Sequence, residues 1–429
     1  MKIAIIGAGF TGLSAAFELL KKGHEVVVFE ENSLPGGLAL GYKEVGWQWS
    51  LEKHYHHWFT NDKYILALAK EINFPIEIKR PKTSVFVKNN IYQLDSPASV
   101  LSFPLLTILE RLRMSTVIAF LKLDPFWKPL EKYRAAEILP RLMGKKAYEM
   151  IWEPLFINKF GSFADNISLA WFWARIQKRT PSLAYPKGGF LEFAKALTKE
   201  IEKRGGTLYF DTKVIELSSK GKPEVKFQGI KNLKLEIRNY DAVIVTLSSF
   251  LFMKIAPQLP KSYREKLQQL KSLGATNLVL RLSKPFFKDG TYWLNVCDKK
   301  APVMAIVEHT NYMDKKYYNQ ETLVYLGNYK AATDPYFKLT KEEMLKIFNP
   351  YLKKINPDYA KSLIGYEFFK TPFAQPIIPV NYTKIIPGLK TPLRNVYLAN
   401  IEQVYPWDRG TNYAVQLGQN VAGESLKNV

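Results

Sequence analysis

One cysteine, Cys297, and five histidines are all the thiol and imidazole side chains that 429 residues supply. A solitary cysteine excludes an internal disulfide framework and suits a reducing compartment, so a cytoplasmic protein is expected. No uncharged apolar run reaches the ~18 residues of a membrane-spanning helix, and the opening MKIAIIGAGF lacks the apolar core of a signal peptide. Internal repeats, low-complexity tracts and the RNP, KH and zinc-knuckle patterns are missing too. The chain has 61 basic against 39 acidic residues, a formal charge of +22, yet no run of five like charges. Charge so scattered reads as a solvated surface. No nucleic-acid partner is expected, while peripheral contact with an anionic membrane, at its inner face, stays open.

What the chain does contain is α/β alternation. KIAIIGAGFTGLSAAFELLKKGHEVVVFEE reads as strand, glycine turn, helix, strand: Ile3 to Ile6 are apolar, Leu13, Ala16, Phe17 and Leu20 recur at helical spacing, and Gly23 ends the helix before Val26 to Phe29. A second α/β block spans Gly188 to Leu247, and a third, NVYLANIEQVYPWDRGTNYAVQLGQNVAGESL, reads as strand, loop and helix. The expected fold class is α/β: a Rossmann-type dinucleotide-binding domain, discontinuous in sequence, built from residues 1–80, 184–250 and 385–429. A second, α+β domain for the substrate is expected from 81–183, largely helical, and 251–384, a mixed sheet with helices. In the helical part, Leu105, Ile108, Leu109, Leu112, Thr116, Ala119, Phe120 and Leu123 mark one face of a helix, with Arg111, Arg113 and Lys122 elsewhere on it. That face is expected to turn to the core; a basic amphipathic helix lying on a membrane is the other arrangement.

Gly7, Gly9 and Gly12 form G-x-G-x-x-G between strand and helix, with Phe10 and Thr11 opening the helix. Gly7 permits the tight turn, Gly9 lets backbone approach a pyrophosphate, and Gly12 brings helix to sheet. The helix N-terminus offers N–H groups and a positive dipole end to phosphates. Glu30, ending the second strand with Glu31 after it, is placed to accept ribose hydroxyls. Gly36 and Gly37 follow six residues later, ahead of Leu38. This arrangement resembles the FAD-binding fold shared by flavin amine oxidases, protoporphyrinogen oxidases, phytoene desaturases and UDP-galactopyranose mutases, and more narrowly a group of bacterial NAD(P)/FAD-dependent oxidoreductases. The resemblance runs along the chain through YPKGGFLEFAKAL, DTKVIEL and VYLANIEQVYPWDRGTNYAVQLG. It implies FAD as cofactor, with the backbone near Val214 at its adenine side and Asn400, Asp408, Thr411, Asn412 and Tyr413 at its ribityl and flavin side. The sequence departs from the amine oxidases in carrying Leu38 where arginine is usual, Gly410 where an aromatic wall stands before Ala414–Val415, and no Gly-Asp pair at LANIE.

The stretch EKHYHHWFTND holds His54, His56 and His57. On an extended strand, alternation puts His54 and His56 on one face and Tyr55 and His57 on the other, so the three cannot converge on a metal, and no metal is expected. Resemblance to the mutases implies that His54 or His56 faces the flavin or substrate as the catalytic imidazole; packing in the core is the alternative. Lys159 and Arg175 are candidates for an anionic group on the substrate, with ion pairing as the alternative. Asp408 competes between the cofactor loop and capping the last helix. Trp47, Trp49, Trp58 and Trp407 are candidates for the flavin pocket or for core. The expected activity is an FAD-dependent oxidoreductase taking hydride from a small or lipid-like organic substrate. A mutase-like flavin isomerase acting on a nucleotide sugar is an alternative, as is a basic flavin-fold protein that binds membrane or RNA without catalysis. The oligomeric state is not specified.

Overall fold

Strands that read as unbroken apolar runs need cover on both faces, and the computed structural model, which describes residues 1–427 apart from 220 and 232, supplies it. Thr207–Tyr209, Glu25–Phe29, Lys2–Ile6, Ala242–Val245 and Val396–Leu398 lie side by side in that order, all parallel. Ile3 and Ile5 face one core with Val26, Val28 and Ile244; Ala4 and Ile6 face the other with Val27, Phe29 and Val243. The Phe10–Lys21 helix follows the first strand, and the C-terminal Thr411–Ser425 helix packs against it. Contact there is close: Ser14 Oγ donates to the Val415 carbonyl at 3.1 Å, and a Cβ at Gly418 would meet the Thr11 carbonyl oxygen at 2.3 Å.

A seven-stranded sheet forms the second layer, in the order Leu363–Pro376, Ser272–Leu282, Thr322–Lys330, Ala305–Glu308, Thr291–Val296, Lys82–Val87, Asn90–Gln93. Its neighbours are antiparallel except where Thr291–Val296 runs parallel to Lys82–Val87. Helices between 97 and 178 pack beside it, among them Ile108–Leu123, Glu153–Phe160 and Leu169–Lys178. Among the described residues no helix is long and apolar enough to cross a membrane.

Two expectations are corrected. The apolar face read from Ile108, Leu109, Leu112, Phe120 and Leu123 does not turn to the core: all five side chains are exposed, and the helix is buried through Met114 and Leu121 instead. The helix is apolar on more than one side, and packing selects the other side. The histidine stretch is not a strand either. Leu51–Glu52 and Trp58–Phe59 are short strands, and 53–57 between them is irregular. Side chains satisfy its carbonyls where a ladder would: Tyr325 Oη donates to the Glu52 carbonyl, and the His56 ring bonds the His54 carbonyl.

Candidate active site

The dinucleotide end is built from bare backbone. Gly7 has φ +107°, and a Cβ there would meet Thr246 Oγ1 at 2.5 Å; at Gly12 it would meet the Gly7 carbonyl oxygen at 2.0 Å. Phe10 turns its ring into the core against Phe193 and Phe190, which leaves its backbone and that of Thr11 at the helix start. Gly9, the N-cap, supplies no side-chain cap, so the first N–H groups are left for a ligand. Gly36 pairs with Gly9 as a parallel bridge, its N–H donating to the Ala8 carbonyl at 3.0 Å. A Cβ on Gly37 would stand 3.0 Å from Gly9 Cα. Leu38 follows in a short 3-10 turn, Gly37–Ala39.

The Glu30 carboxylate is buried and accepts the Ala8 N–H at 2.8 Å, the Asn32 N–H at 2.9 Å and Asn32 Nδ2 at 2.7 Å. These three bonds fill Oε1 and leave one lone pair, on Oε2, for a hydroxyl. Glu31 points to solvent and pairs with Lys213 at 2.5 Å. Val214, buried, lies on the Thr212–Ser218 strand, whose first N–H donates to the Glu30 carbonyl.

At the other end lies a cavity of about 390 Å³, between Tyr55–His57, the helices around Lys159 and Arg175, Tyr292–Trp293, Tyr329, and Asp408–Tyr413. The sequence-predicted residues divide here. His56 and His57 line it; His54 does not, being turned to Asn277, whose Nδ2 donates to its Nδ1. Burial pushes His54 and His57 down to about 3 and His56 to about 4, so all three rings are neutral at neutral pH. His56 Nδ1 lies 2.6 Å from the His54 carbonyl and must donate to it, which leaves Nε2 as the ring's basic atom.

Several loop residues are committed to the protein itself. Thr411 Oγ1 accepts Trp58 Nε1 at 2.8 Å. Asn412 Oδ1 accepts the N–H groups of Tyr64 and Ile65, at 2.9 and 3.2 Å, and so caps the Lys63–Glu71 helix from across the molecule. Asn400 is buried in a capping box with Gln403, its Nδ2 donating to the Leu247 carbonyl. Asp408 caps nothing, since Gly410 is the N-cap of the last helix; its carboxylate pairs with Arg175 at 2.5 Å and accepts Trp171 Nε1 at 3.3 Å. Burial would raise its pKa, but Lys159, Arg175 and Arg409 outweigh that and hold it at about 2. Tyr413 stacks on Trp407 at 5.7 Å, and its buried hydroxyl has no hydrogen-bond partner among the described residues; Trp152 Nε1, also on the cavity wall, has none there either. Of the four tryptophans singled out, Trp47 and Trp58 are core, Trp49 stacks on Tyr317 and Trp407 on Trp173; the cavity is walled by Trp152, Trp171 and Trp293 instead.

The cations are the strongest feature of the cavity. Lys159 is 8% exposed, and its ammonium lies over three rings, Phe160, Trp171 and Tyr329, at 5.8, 5.4 and 5.0 Å, with no hydrogen bond or ion pair among the described residues. Burial, reinforced by Arg175, Arg409 and Arg179, pushes its pKa well down, against the pull of Asp408. Arg179 lines the cavity with its guanidinium unpaired among the described residues; burial lowers it to about 10. Arg409 bonds Gln375 and the Tyr329 hydroxyl. Sequence reasoning missed Arg179 and the ring cage, because Trp171 and Tyr329 meet Lys159 only through the fold. No group of three His, Cys, Asp or Glu side chains converges for a metal among the described residues.

A family model for flavin-containing amine oxidoreductases matches residues 10–424. The chain belongs to that family. FAD is therefore its cofactor and flavin-dependent oxidoreduction its class of chemistry, and the glycine cradle, the uncapped helix start and Glu30 fit the dinucleotide. An L-amino-acid oxidase from Daboia russelii is 24% identical over 313 residues, 67% of this chain and 60% of the relative, so the match spans about three-fifths of that relative's length. A 4,4'-diapophytoene desaturase from Staphylococcus aureus is 47% identical over 51 residues, 12% of this chain and 10% of the desaturase. Among solved structures, an oxidoreductase from Methanosarcina mazei has a TM-score of 0.76 at 20% identity, covering 99% of this chain and 100% of that one. A reduced UDP-galactopyranose mutase has 0.75 at 14%, covering 100% and 96%. These two likenesses show a shared fold.

Proposed function

We propose that this flavoenzyme takes a hydride from an organic substrate that joins an apolar body to an anionic group. One observation carries the reading: Lys159, buried and unpaired in a cage of rings, faces a cavity beside the flavin-side loop. An ammonium without a counterion in an apolar setting is costly; a carboxylate or phosphate entering the cavity relieves it, with Arg179 and Arg175 in reach of the same space. The aromatic walls take the apolar body. Bound FAD supplies the hydride acceptor. The chain's own residues hold the substrate by its anion, exclude water with Trp171, Trp293 and Tyr329, and offer His56 Nε2 as a proton acceptor. On this reading residues 1–80, 184–250 and 385–429 hold FAD, through Gly7, Gly9, Gly12, Glu30, Gly36 and Gly37, and the remainder holds the substrate.

The test uses the purified holoprotein and a series of arylalkyl carboxylates with their matching amides. Carboxylates are expected to perturb the flavin spectrum and amides not. Lys159→Met should weaken the carboxylates roughly a hundredfold, the worth of a buried charge-assisted contact. Because Lys159 must hold its proton to bind an anion, carboxylate affinity should rise as pH falls. Equal binding of amides and carboxylates would overturn the anionic part. Interconversion of a nucleotide sugar by dithionite-reduced protein, with no flavin reduction by any organic donor, would overturn the oxidoreductase.

A further inference from the structure

The Ile108–Leu123 helix is apolar on two opposite sides and buries one. At 3.6 residues per turn, Ile108, Ala119, Leu112, Leu123, Thr116, Leu109 and Phe120 fall in that order across an arc of about 120°. Met114 and Leu121, the residues it buries, lie roughly opposite the middle of that arc. Of the large apolar side chains on the exposed arc and just past it, Leu112 is 50% exposed and Leu123 80%, with Ile108, Leu109, Phe120 and Phe126 between. Single exposed apolar residues are ordinary; five gathered on one helix, with Phe126 just past its end, mark an interaction surface.

Cations border the arc. On one edge Arg113 donates to the carbonyls of Leu142 and Arg141, and Lys146 reaches the helix through Glu110 at 3.1 Å. On the other edge lie Arg111 and Lys122. Between residues 97 and 149 there are nine lysines and arginines against five acids. Lys122 also fixes where the face stands relative to the cavity: its ammonium donates to the carbonyls of Ile176, Gln177 and Arg179 at 3.2, 2.8 and 2.6 Å. Lys178, Arg179 and Thr180 line the cavity. Trp173 Nε1 donates to the Asp124 carbonyl, tying in the chain between Leu123 and Phe126.

We infer that this face docks on an anionic lipid bilayer. The apolar arc enters the boundary between headgroups and acyl chains, the flanking lysines and arginines meet lipid phosphates, and the cavity rim is held beside the lipid surface. Charge decides the occupant: a basic border around an apolar face repels a second copy of itself and attracts anionic lipid.

Flotation of the full-length flavoprotein with vesicles tests this, using pure phosphatidylcholine against a two-to-one mixture with phosphatidylglycerol. The protein should float with the mixed vesicles and weakly or not at all with the neutral ones. Leu109→Ser, Phe120→Ser and Leu123→Ser together should lower the partition coefficient more than tenfold, with flavin content and unfolding transition unchanged, because these side chains support no core. Lys128 and Lys145, two of those nine basic residues, have exposed side chains, and Lys128→Gln with Lys145→Gln should lower binding to the mixed vesicles about tenfold or more and leave the neutral ones unaffected. No flotation at low salt, equal flotation by the serine variant, or a dimer that the serine variant converts to monomer without any lipid binding would each overturn the inference.

Discussion

Gly418 and Gly423 sit on the same C-terminal helix, and replacing each with alanine separates propensity from packing. In an exposed helix interior Gly→Ala is favourable by about 0.5–1 kcal/mol. Gly423 has open space where its Cβ would go, so it should show that gain. At Gly418 the same methyl would lie 2.3 Å from the Thr11 carbonyl oxygen, 2.9 Å from Ser14 Cβ and 3.0 Å from Ala15 N. Two of these three are backbone atoms of the Phe10–Lys21 helix and cannot rotate away, so the two helices must part by several tenths of an ångström. Overpacking of this kind costs about 1–3 kcal/mol, and the two variants should differ by about 2–3 kcal/mol in opposite directions. Thr11 is in the first turn of the helix proposed to hold the dinucleotide, so Gly418→Ala should also release FAD at lower denaturant than wild type. Urea unfolding followed by circular dichroism and by flavin release, with and without excess FAD, measures both effects. If Gly418→Ala proves as stable as Gly423→Ala, the close helix crossing is not the constraint argued above.

Asn412→Ala should cost about 1 kcal/mol by uncapping the Lys63–Glu71 helix, while Asn412→Asp, which keeps the acceptor, should cost less; equal losses in urea would contradict the cap. Stability should fall as pH drops from about 6.5 toward 4, because His54, His57 and His309 (folded values of about 3) and His56 (about 4) stay neutral while the unfolded chain takes up protons. Buried Glu52, raised to about 7 by burial, acts the other way between pH 7 and 4.5, since there the folded chain holds the proton. Glu52→Gln should therefore steepen the acid loss by one proton, about 1.4 kcal/mol per pH unit in that window; an unchanged slope in pH-dependent denaturation would refute this.

The glycine cradle was legible in the sequence because its demands are local: a turn, a helix start and an acid at fixed spacing depend on neighbours in the chain. The substrate end was legible only as a set of candidates. Lys159 could be singled out, but its state is set by Trp171 and Tyr329, which the fold delivers. The place of Asn412 in the last segment points to the cofactor, while its bonds to Tyr64 and Ile65, across more than three hundred positions, belong to tertiary structure. The histidines were misplaced because alternation presupposes a strand, and side-chain donors replace the ladder there. The Ile108–Leu123 helix was misread for a different reason: a periodic apolar face says that something covers it, not that the protein's own core does.

The first strand of the parallel sheet takes one neighbour from early in the chain and the other, Ala242–Val245, from past its midpoint, while Val396–Leu398 closes the edge. The Thr411–Ser425 helix, which packs on the helix after the glycine turn, arrives later still: Ser14 and Val415 meet across 401 positions. During synthesis, then, hundreds of residues follow the glycine turn before the helix that packs beside it exists. Until Val396–Leu398 has emerged, the growing chain holds Ala242–Val245 as an open sheet edge, which must be kept from pairing with a neighbour.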